Sequence, residues 1–159
     1  MALTPAQQAA VKADIIANAD LDAFPNTSDG AFAIAVLYNL VAVPEFVVWR
    51  TNITTSEIKE VIDWVEVIAS SVGERDTFQF MIADGSINGS DINVRQGIAD
   101  IFSGPGGANS RAALTALAKR SATRIEALLS TGNGTTASPA TMDREGTISY
   151  QDVYSARNS

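Results

Sequence analysis

The chain contains neither cysteine nor histidine among its 159 residues. Without cysteine it forms no disulfide and no thiolate zinc site, and redox chemistry gives no indication of its compartment. Without histidine it lacks the commonest general base and the usual side-chain metal ligand, so a diiron site built on Glu-x-x-His is excluded. Carboxylates remain among the groups that can act as a general acid or base.

The chain also lacks an apolar run long enough to cross a bilayer. The longest run, residues 31–43, is apolar at every position except Asn39 and is shorter than the roughly 20 residues that a spanning helix needs. Residues 1–10 lack the basic region and apolar run of a secretory signal. We therefore expect a buried helix at residues 31–43, no membrane association, and a protein made and kept in the cytoplasm.

Charge is unevenly distributed along the sequence. The net charge is −7; residues 1–100 hold 14 acids and 5 bases, whereas residues 101–159 hold 4 acids and 6 bases. An acidic body disfavours general nucleic-acid binding, which depends on neutralising phosphates. The mildly basic end suits an acidic neighbour, including a second copy of the same body.

Helix signals dominate residues 1–130. Thr4-Pro5-Ala6-Gln7 combines an N-cap threonine, a proline at the first helical position and a glutamine for a capping box. The clearest amphipathic stripe has apolar residues at spacings of three and four, namely Ile58, Val61, Ile62, Val65, Ile68 and Val72. We predict helices over residues 5–18, 31–40, 57–71, 74–83, 91–102 and 110–129, with residues 46–49 as a strand or an extended linker. The predicted fold class is all-α: a compact helical bundle of about five to six helices with at most a short strand.

The last 29 residues have a different composition. Fourteen of residues 131–159 are Gly, Ser, Thr or Asn, so burial of this segment cannot offset an ordering cost of about 1 to 2 kcal/mol per residue. We predict two parts, a helical body at 1–130 that folds alone and an extended C-terminal arm at 131–159. The arm is expected to begin with a flexible spacer, residues 131–140, and to grip another protein through Ile148, Tyr150, Val153 and Tyr154.

Two loops invite a ligand hypothesis. Asp84-x-Ser86-x-Asn88-Gly89 matches the opening of an EF-hand calcium loop, but position twelve is Arg95 where a bidentate glutamate is needed. Gly104-Pro105-Gly106-Gly107 precedes a helix without the Gly-Lys-Ser/Thr ending of a P-loop. Both are predicted to be turns, and no metal or cofactor is expected.

Four carboxylates occupy one predicted helix: Glu57, Glu60, Asp63 and Glu66. At 100° per residue they spread around the polar face, which favours a solvated surface over a catalytic pair. The alternative, a small carboxylate-dependent hydrolase, requires two carboxylates converging in a cleft.

Candidate partner contacts lie in two further places. Trp49-Arg50 joins an aromatic residue to an arginine, and both types are concentrated at protein interfaces. Arg120 and Arg124 are one turn apart on the predicted last helix and can face an acidic patch on a neighbour. Core packing is the favoured interpretation for Trp64, which lies at the edge of its apolar stripe.

Four phrases of the sequence resemble small structural proteins of tailed bacteriophages from the head-to-tail connector region. They are Pro25-Asn26-Thr27-Ser28-Asp29-Gly30, Val48-Trp49-Arg50-Thr51, the stretch Asn93-Val94-Arg95-Gln96-Gly97-Ile98-Ala99-Asp100-Ile101-Phe102, and Thr131-Gly132-Asn133-Gly134-Thr135. The resemblance implies a largely helical, non-enzymatic adaptor or neck protein of the virion. Such an adaptor forms a closed ring between portal and tail and often grips the portal with an extended C-terminal arm.

The expected function is therefore structural. The expected partners are further copies of the chain, a portal protein and a tail or neck protein, with genomic DNA only passing through the channel. A tail terminator, another neck protein and a head-completion protein remain alternatives within the virion, and the carboxylate hydrolase remains the alternative outside it.

Overall fold

The computed structural model describes residues 2–159. Contacts divide the chain into two compact units: unit 1 comprises the chain up to Val48 together with Ser121–Ser159, and unit 2 is Trp49–Arg120. The predicted body and arm do not coincide with this division, because residues 131–159 belong to unit 1.

The described residues form ten α-helices, six short strands and a 3-10 turn at Pro105–Gly107. The helices are α1 (Pro5–Ala17), α2 (Ala19–Asp22), α3 (Ser28–Tyr38), α4 (Thr55–Val61), α5 (Trp64–Ala69), α6 (Val72–Ile82), α7 (Ile92–Ile101), α8 (Ala108–Leu117), α9 (Arg124–Leu128) and α10 (Tyr150–Arg157). The strands are β1 (Val47–Trp49), β2 (Ile53–Thr54), β3 (Ser86–Ile87), β4 (Lys119–Ser121), β5 (Ser130–Thr131) and β6 (Thr141–Met142).

The strands form three two-stranded sheets, β1 with β4, β2 with β3 and β5 with β6. The pairs β2–β3 and β5–β6 are antiparallel, with Ile53 opposite Ile87 and Ser130 opposite Met142. The predicted all-α fold class is therefore wrong: helix takes 56% of the chain and strand takes 11%, so the fold is mixed with helices dominating. Strands of two or three residues show no alternation in the sequence, and for this reason five of the six were missed.

The predicted extended arm is also wrong. After the β5–β6 hairpin, residues 150–157 form α10, which packs on α1 and α3. Ile148, Val153 and Ala156 are buried in the main core of unit 1. The members of that core are Leu3, Val11, Ile15, Leu21, Ala31, Ile34, Ala35, Tyr38, Ile125, Leu129, Ile148, Val153 and Ala156. The segment is ordered because α1 and α3, far away in sequence, supply the apolar surface that it lacks.

Two long predicted helices are interrupted, each by its own capping residues. Asp63 accepts hydrogen bonds from the amides of Val65 and Glu66 and so begins α5, and Ser71 begins α6 in a capping box. The predicted helix 110–129 is likewise divided by β4, since Thr123 and Glu126 form a capping box that begins α9. Ser110, where that helix was predicted to begin, is buried within α8 instead.

Unit 2 has its own core, and α4, α6, α7 and α8 contribute to it. Its buried members are Ile53, Ile58, Ile62, Phe78, Ile87, Ile98, Ile101, Phe102, Leu114 and Ala118. Phe78 and Phe102 make an edge-to-face contact with ring centroids 5.2 Å apart. Over residues 2–159, the helices all fall short of the length and apolar character needed to cross a membrane.

Candidate interaction surfaces

The amphipathic stripe that the sequence shows from Ile58 to Val72 is mostly exposed. Only Ile58 and Ile62 of its six residues are buried, whereas Val65 is 75% exposed and Ile68 is 73% exposed. We call the exposed members, Val61, Val65, Ile68 and Val72, the α5 surface. The breaks before and after α5 turn these side chains away from the core of unit 2, and α5 has no buried residue at all. Several large apolar side chains exposed within one short stretch of chain are a candidate protein interaction site.

A groove of about 440 Å³ lies among α4, α5 and α6. Its apolar walls include Trp64, Val67, Phe78 and Ile82. Its charged lining residues are both cationic, Lys59 and Arg75. Arg75 donates to the carbonyl oxygens of Ile68 and Ser70, whereas the Lys59 ammonium forms no hydrogen bond or ion pair within residues 2–159. The groove therefore combines an apolar lining with one positive charge, that of Lys59, which has no partner among residues 2–159.

Unit 1 exposes a second apolar surface along α3. Phe32, Val36 and Leu40 recur every four residues and are each about half exposed or more, while Ile34 and Tyr38 on the other side of α3 are buried in the core. We call Phe32, Val36 and Leu40 the α3 stripe. The sequence predicted only a buried helix here, because a helix that is apolar all round gives no indication of which face meets solvent.

The loop that follows α3 projects an apolar tip. Both of its ends are held at Ala122: the Ala42 amide donates to the Ala122 oxygen at 2.9 Å, and the Ala122 amide donates to the Phe46 oxygen at 2.8 Å. Between these anchors Val43 is 95% exposed, the highest value among the large apolar residues described. We call Val43–Glu45 the projecting loop.

The predicted arm residues have two different environments. Ile148 and Val153 are buried inside unit 1. Tyr150 and Tyr154, on the outer side of α10, are each a little over 40% exposed. The segment therefore contacts its own unit through the first pair, and a contact with another protein stays a prediction for the two tyrosines.

Trp49 and Arg50 have intramolecular partners in unit 2. The Arg95 guanidinium lies 4.3 Å from the centroid of the Trp49 ring, and the Lys119 ammonium lies 5.4 Å from it. Arg50 donates to a Glu57 carboxylate oxygen at 2.7 Å. This hydrogen bond, with those from Thr54, lowers the pKa of Glu57 from 4.5 to about 2.

Arg120 and Arg124 do not share a helix. Arg120 is in β4 and partly exposed, whereas Arg124 is the first residue of α9. Arg124 donates to Asp14 at 3.0 Å, and the Tyr38 hydroxyl donates to the same carboxylate oxygen at 2.7 Å. Burial, reinforced by the hydrogen bond to Asp14, raises the pKa of Tyr38 above its ordinary value. Arg124 therefore joins a network that links α1, α3 and α9.

Three of the four carboxylates on residues 57–66 cap helices. Glu57 completes the α4 capping box, and Asp63 caps α5. Glu66 accepts hydrogen bonds from the amides of Asn109 and Ser110 at the start of α8, which lower its pKa. Glu60 is exposed. Within residues 2–159 no group of three or more Asp and Glu residues is arranged to hold a metal ion.

The two loops with ligand-like sequences have structural contacts. Arg95, at the position of the missing calcium ligand, donates to the Gly89 carbonyl at 2.7 Å besides stacking on Trp49. Ser86 and Ile87 of that loop form β3. Gly107 passes so close to Phe102 that an added Cβ would lie 2.6 Å from its backbone.

Sequence signals for three missed helix starts were present. Ser149-Tyr150-Gln151-Asp152 is a capping-box pattern, and it begins α10. The same pattern at Thr123 and at Ser71 marked the starts of α9 and α6. The exposure of the α5 surface had no such signal, because apolar spacing alone does not say which face of a helix is covered.

Comparison of the chain with protein-family models, curated proteins and solved structures finds no match.

Proposed function

We propose that the chain is a structural subunit that assembles into the head-to-tail connector of a tailed bacteriophage. The observation that carries the proposal is the exposed α5 surface, which leaves four large apolar side chains in water within twelve residues of chain. Together with the resemblance of four sequence phrases to connector proteins, it favours a protein whose function is to bind other proteins.

The second apolar surface supports assembly of copies of the chain. The α3 stripe and the α5 surface belong to different units and differ in sequence, so contact between them would join unlike surfaces. Unlike surfaces in repeated contact give a closed ring when the rotation closes. A ring of this kind would surround the DNA channel, with a portal protein and a tail or neck protein as the neighbours along its axis.

Replacing Ile68 with aspartate tests the proposal. Because Ile68 is already in water, we expect the unfolding free energy of the Ile68→Asp chain to change by less than about 0.5 kcal/mol. A charge at the centre of an apolar contact opposes assembly. When the Ile68→Asp chain is the only version of the protein present, we expect filled heads and tails that are not joined to each other. The measurement is electron microscopy of the particles, with infectious titre as the second readout.

The matched control is Ala112→Asp, which places the same charge on an exposed position of α8 in the same unit. Control particles should be tailed, and an antibody to the chain should label the junction of head and tail. Tailed, infectious particles at the normal yield from the Ile68→Asp chain would contradict the proposal, as would antibody label that is absent from the junction.

A further inference from the structure

We infer that the projecting loop of one copy inserts into the groove of another copy, with Glu45 meeting Lys59. The inference deepens the proposed function by adding a second contact between copies to the one between the α3 stripe and the α5 surface. It rests on the self-assembly of the chain and not on a place at the head-to-tail junction.

The projecting loop is built to protrude. Its ends are fixed by two backbone hydrogen bonds to Ala122, which is fully buried in a small cluster of unit 1 with Val48, Ala140 and Met142. The Ser121 hydroxyl donates to Glu45 Oε1 at 2.6 Å, so the acidic side chain is held as well. A loop that is already ordered loses little conformational entropy on binding. This favours insertion without rearrangement.

The groove matches the loop in size and lining. A volume of about 440 Å³ lies within the range of about 300 to 1,000 Å³ over which proteins enclose small ligands, and is ample for the side chains of Val43 and Pro44. Trp64 and Phe78 give it aromatic walls that suit a branched aliphatic side chain and a proline ring. The α3 stripe is less suited to entry, because its side chains sit on a broad helix.

The charges of the loop and of the groove favour contact between the two over contact between two loops. The cations lining the groove are Lys59 and Arg75, and the residue that follows the apolar tip of the loop is Glu45. Lys59 has no intramolecular partner for its ammonium among the described residues. Two loops in contact would bring Glu45 against Glu45, and like charges in contact are unfavourable. The loop therefore fits the groove better than it fits another loop.

A zero-length cross-link tests the contact directly. Equal amounts of ¹⁴N-labelled and ¹⁵N-labelled full-length chain are mixed, treated with a carbodiimide that joins a carboxylate to an adjacent amine, digested and examined by mass spectrometry. We expect cross-linked peptide pairs in which the peptide with Glu45 carries one isotope and the peptide with Lys59 carries the other. Only a contact between two copies produces such mixed pairs. Absence of this peptide overturns the inference, as does a chain that stays monomeric at about 1 mM, where even contacts of about 4 kcal/mol associate.

A charge exchange provides the second readout. Glu45→Lys and Lys59→Glu should each weaken self-association at least tenfold by sedimentation, and the double variant should restore it to within about threefold of the original, as expected for a close charge pair. Glu60→Lys, next to Lys59 but outside the lining of the groove, is the control and should have little effect. Failure of the double variant to restore association overturns the inference. Loss of association in Phe32→Asp together with no effect of the exchange would assign the contact to the α3 stripe instead.

The outcomes separate this inference from the proposed function. A mixed-isotope link and a successful charge exchange, with no antibody label at the head-to-tail junction, would retain the contact and refute the connector role. Label at the junction without the link would retain the connector role and refute the contact.

Discussion

Removing residues 131–159 should unfold unit 1. The segment supplies Ile148, Val153 and Ala156 to the core, and without them the faces of α1 and α3 that α10 covers are left in water. Polar contacts are lost too. The side chain of Asn39 donates to the Ile148 oxygen and accepts from the Ile148 amide, both at 2.9 Å, and the side-chain amide of Gln7 donates to Asp143 at 2.7 Å. The sequence alone predicted the opposite, a body that folds without its arm.

Val153→Asp tests the same core with a single change. An ionised carboxylate at a fully buried position with no partner should destabilise unit 1 by about 4 kcal/mol or more. Gln151→Asp is the control, because it adds the same charge on the exposed side of the first turn of α10, where an acid is favourable. Thermal unfolding followed by circular dichroism measures both. A truncated chain or a Val153→Asp chain that melts like the unaltered protein would show that residues 131–159 are not part of the core.

Gly134→Ala should be the most damaging glycine change within the predicted spacer. Gly134 is buried with φ at +65°, and an added Cβ would lie 2.2 Å from the ring of Phe46. The left-handed backbone costs an alanine about 1 to 2 kcal/mol, and displacing the ring adds about 1 to 3 kcal/mol of overpacking. The Gly134 oxygen also accepts a hydrogen bond from the Val47 amide at 2.7 Å, so the displacement would disturb the start of β1.

Gly146→Ala separates the two contributions. Its φ is +100°, and an added Cβ would meet nothing within 4 Å, so only the backbone cost applies. We expect Gly146→Ala to lower the unfolding free energy by about 1 to 2 kcal/mol and Gly134→Ala to lower it by at least 1 kcal/mol more, measured by urea denaturation. Equal losses would mean that residues 132–135 are not packed against Phe46.

Local signals in the sequence predicted local structure well. The helix predicted from Thr4, Pro5 and Gln7 is α1, with both capping hydrogen bonds formed, and the helix predicted over residues 91–102 is α7, which Asp91 caps. The predicted strand or linker at residues 46–49 contains β1. The starts of α1 and α7 depend on hydrogen bonds between residues two or three apart, which is why a sequence pattern identifies them.

Features that depend on distant residues were not predicted. Composition marked residues 131–159 as unable to form a core alone, which is consistent with their burying apolar residues against α1 and α3. Ile58 and Val65 belong to the same apolar stripe, yet the first is fully buried and the second is largely exposed, because α4 ends at Val61 and Asp63 caps a separate helix, α5. Apolar spacing gives the face of a helix, and only the tertiary structure shows what covers that face.

The most direct test of the proposed function asks whether the α5 surface is covered in the assembled state. Because the chain has no cysteine, Ile68→Cys carries its only thiol, and Ala112→Cys is the matched control in the same unit. Labelling with a maleimide should be fast at both positions in the isolated chain. In purified particles, protection of Cys at position 68 with continued labelling at position 112 is the predicted result, and equally fast labelling of both would contradict an interface at the α5 surface.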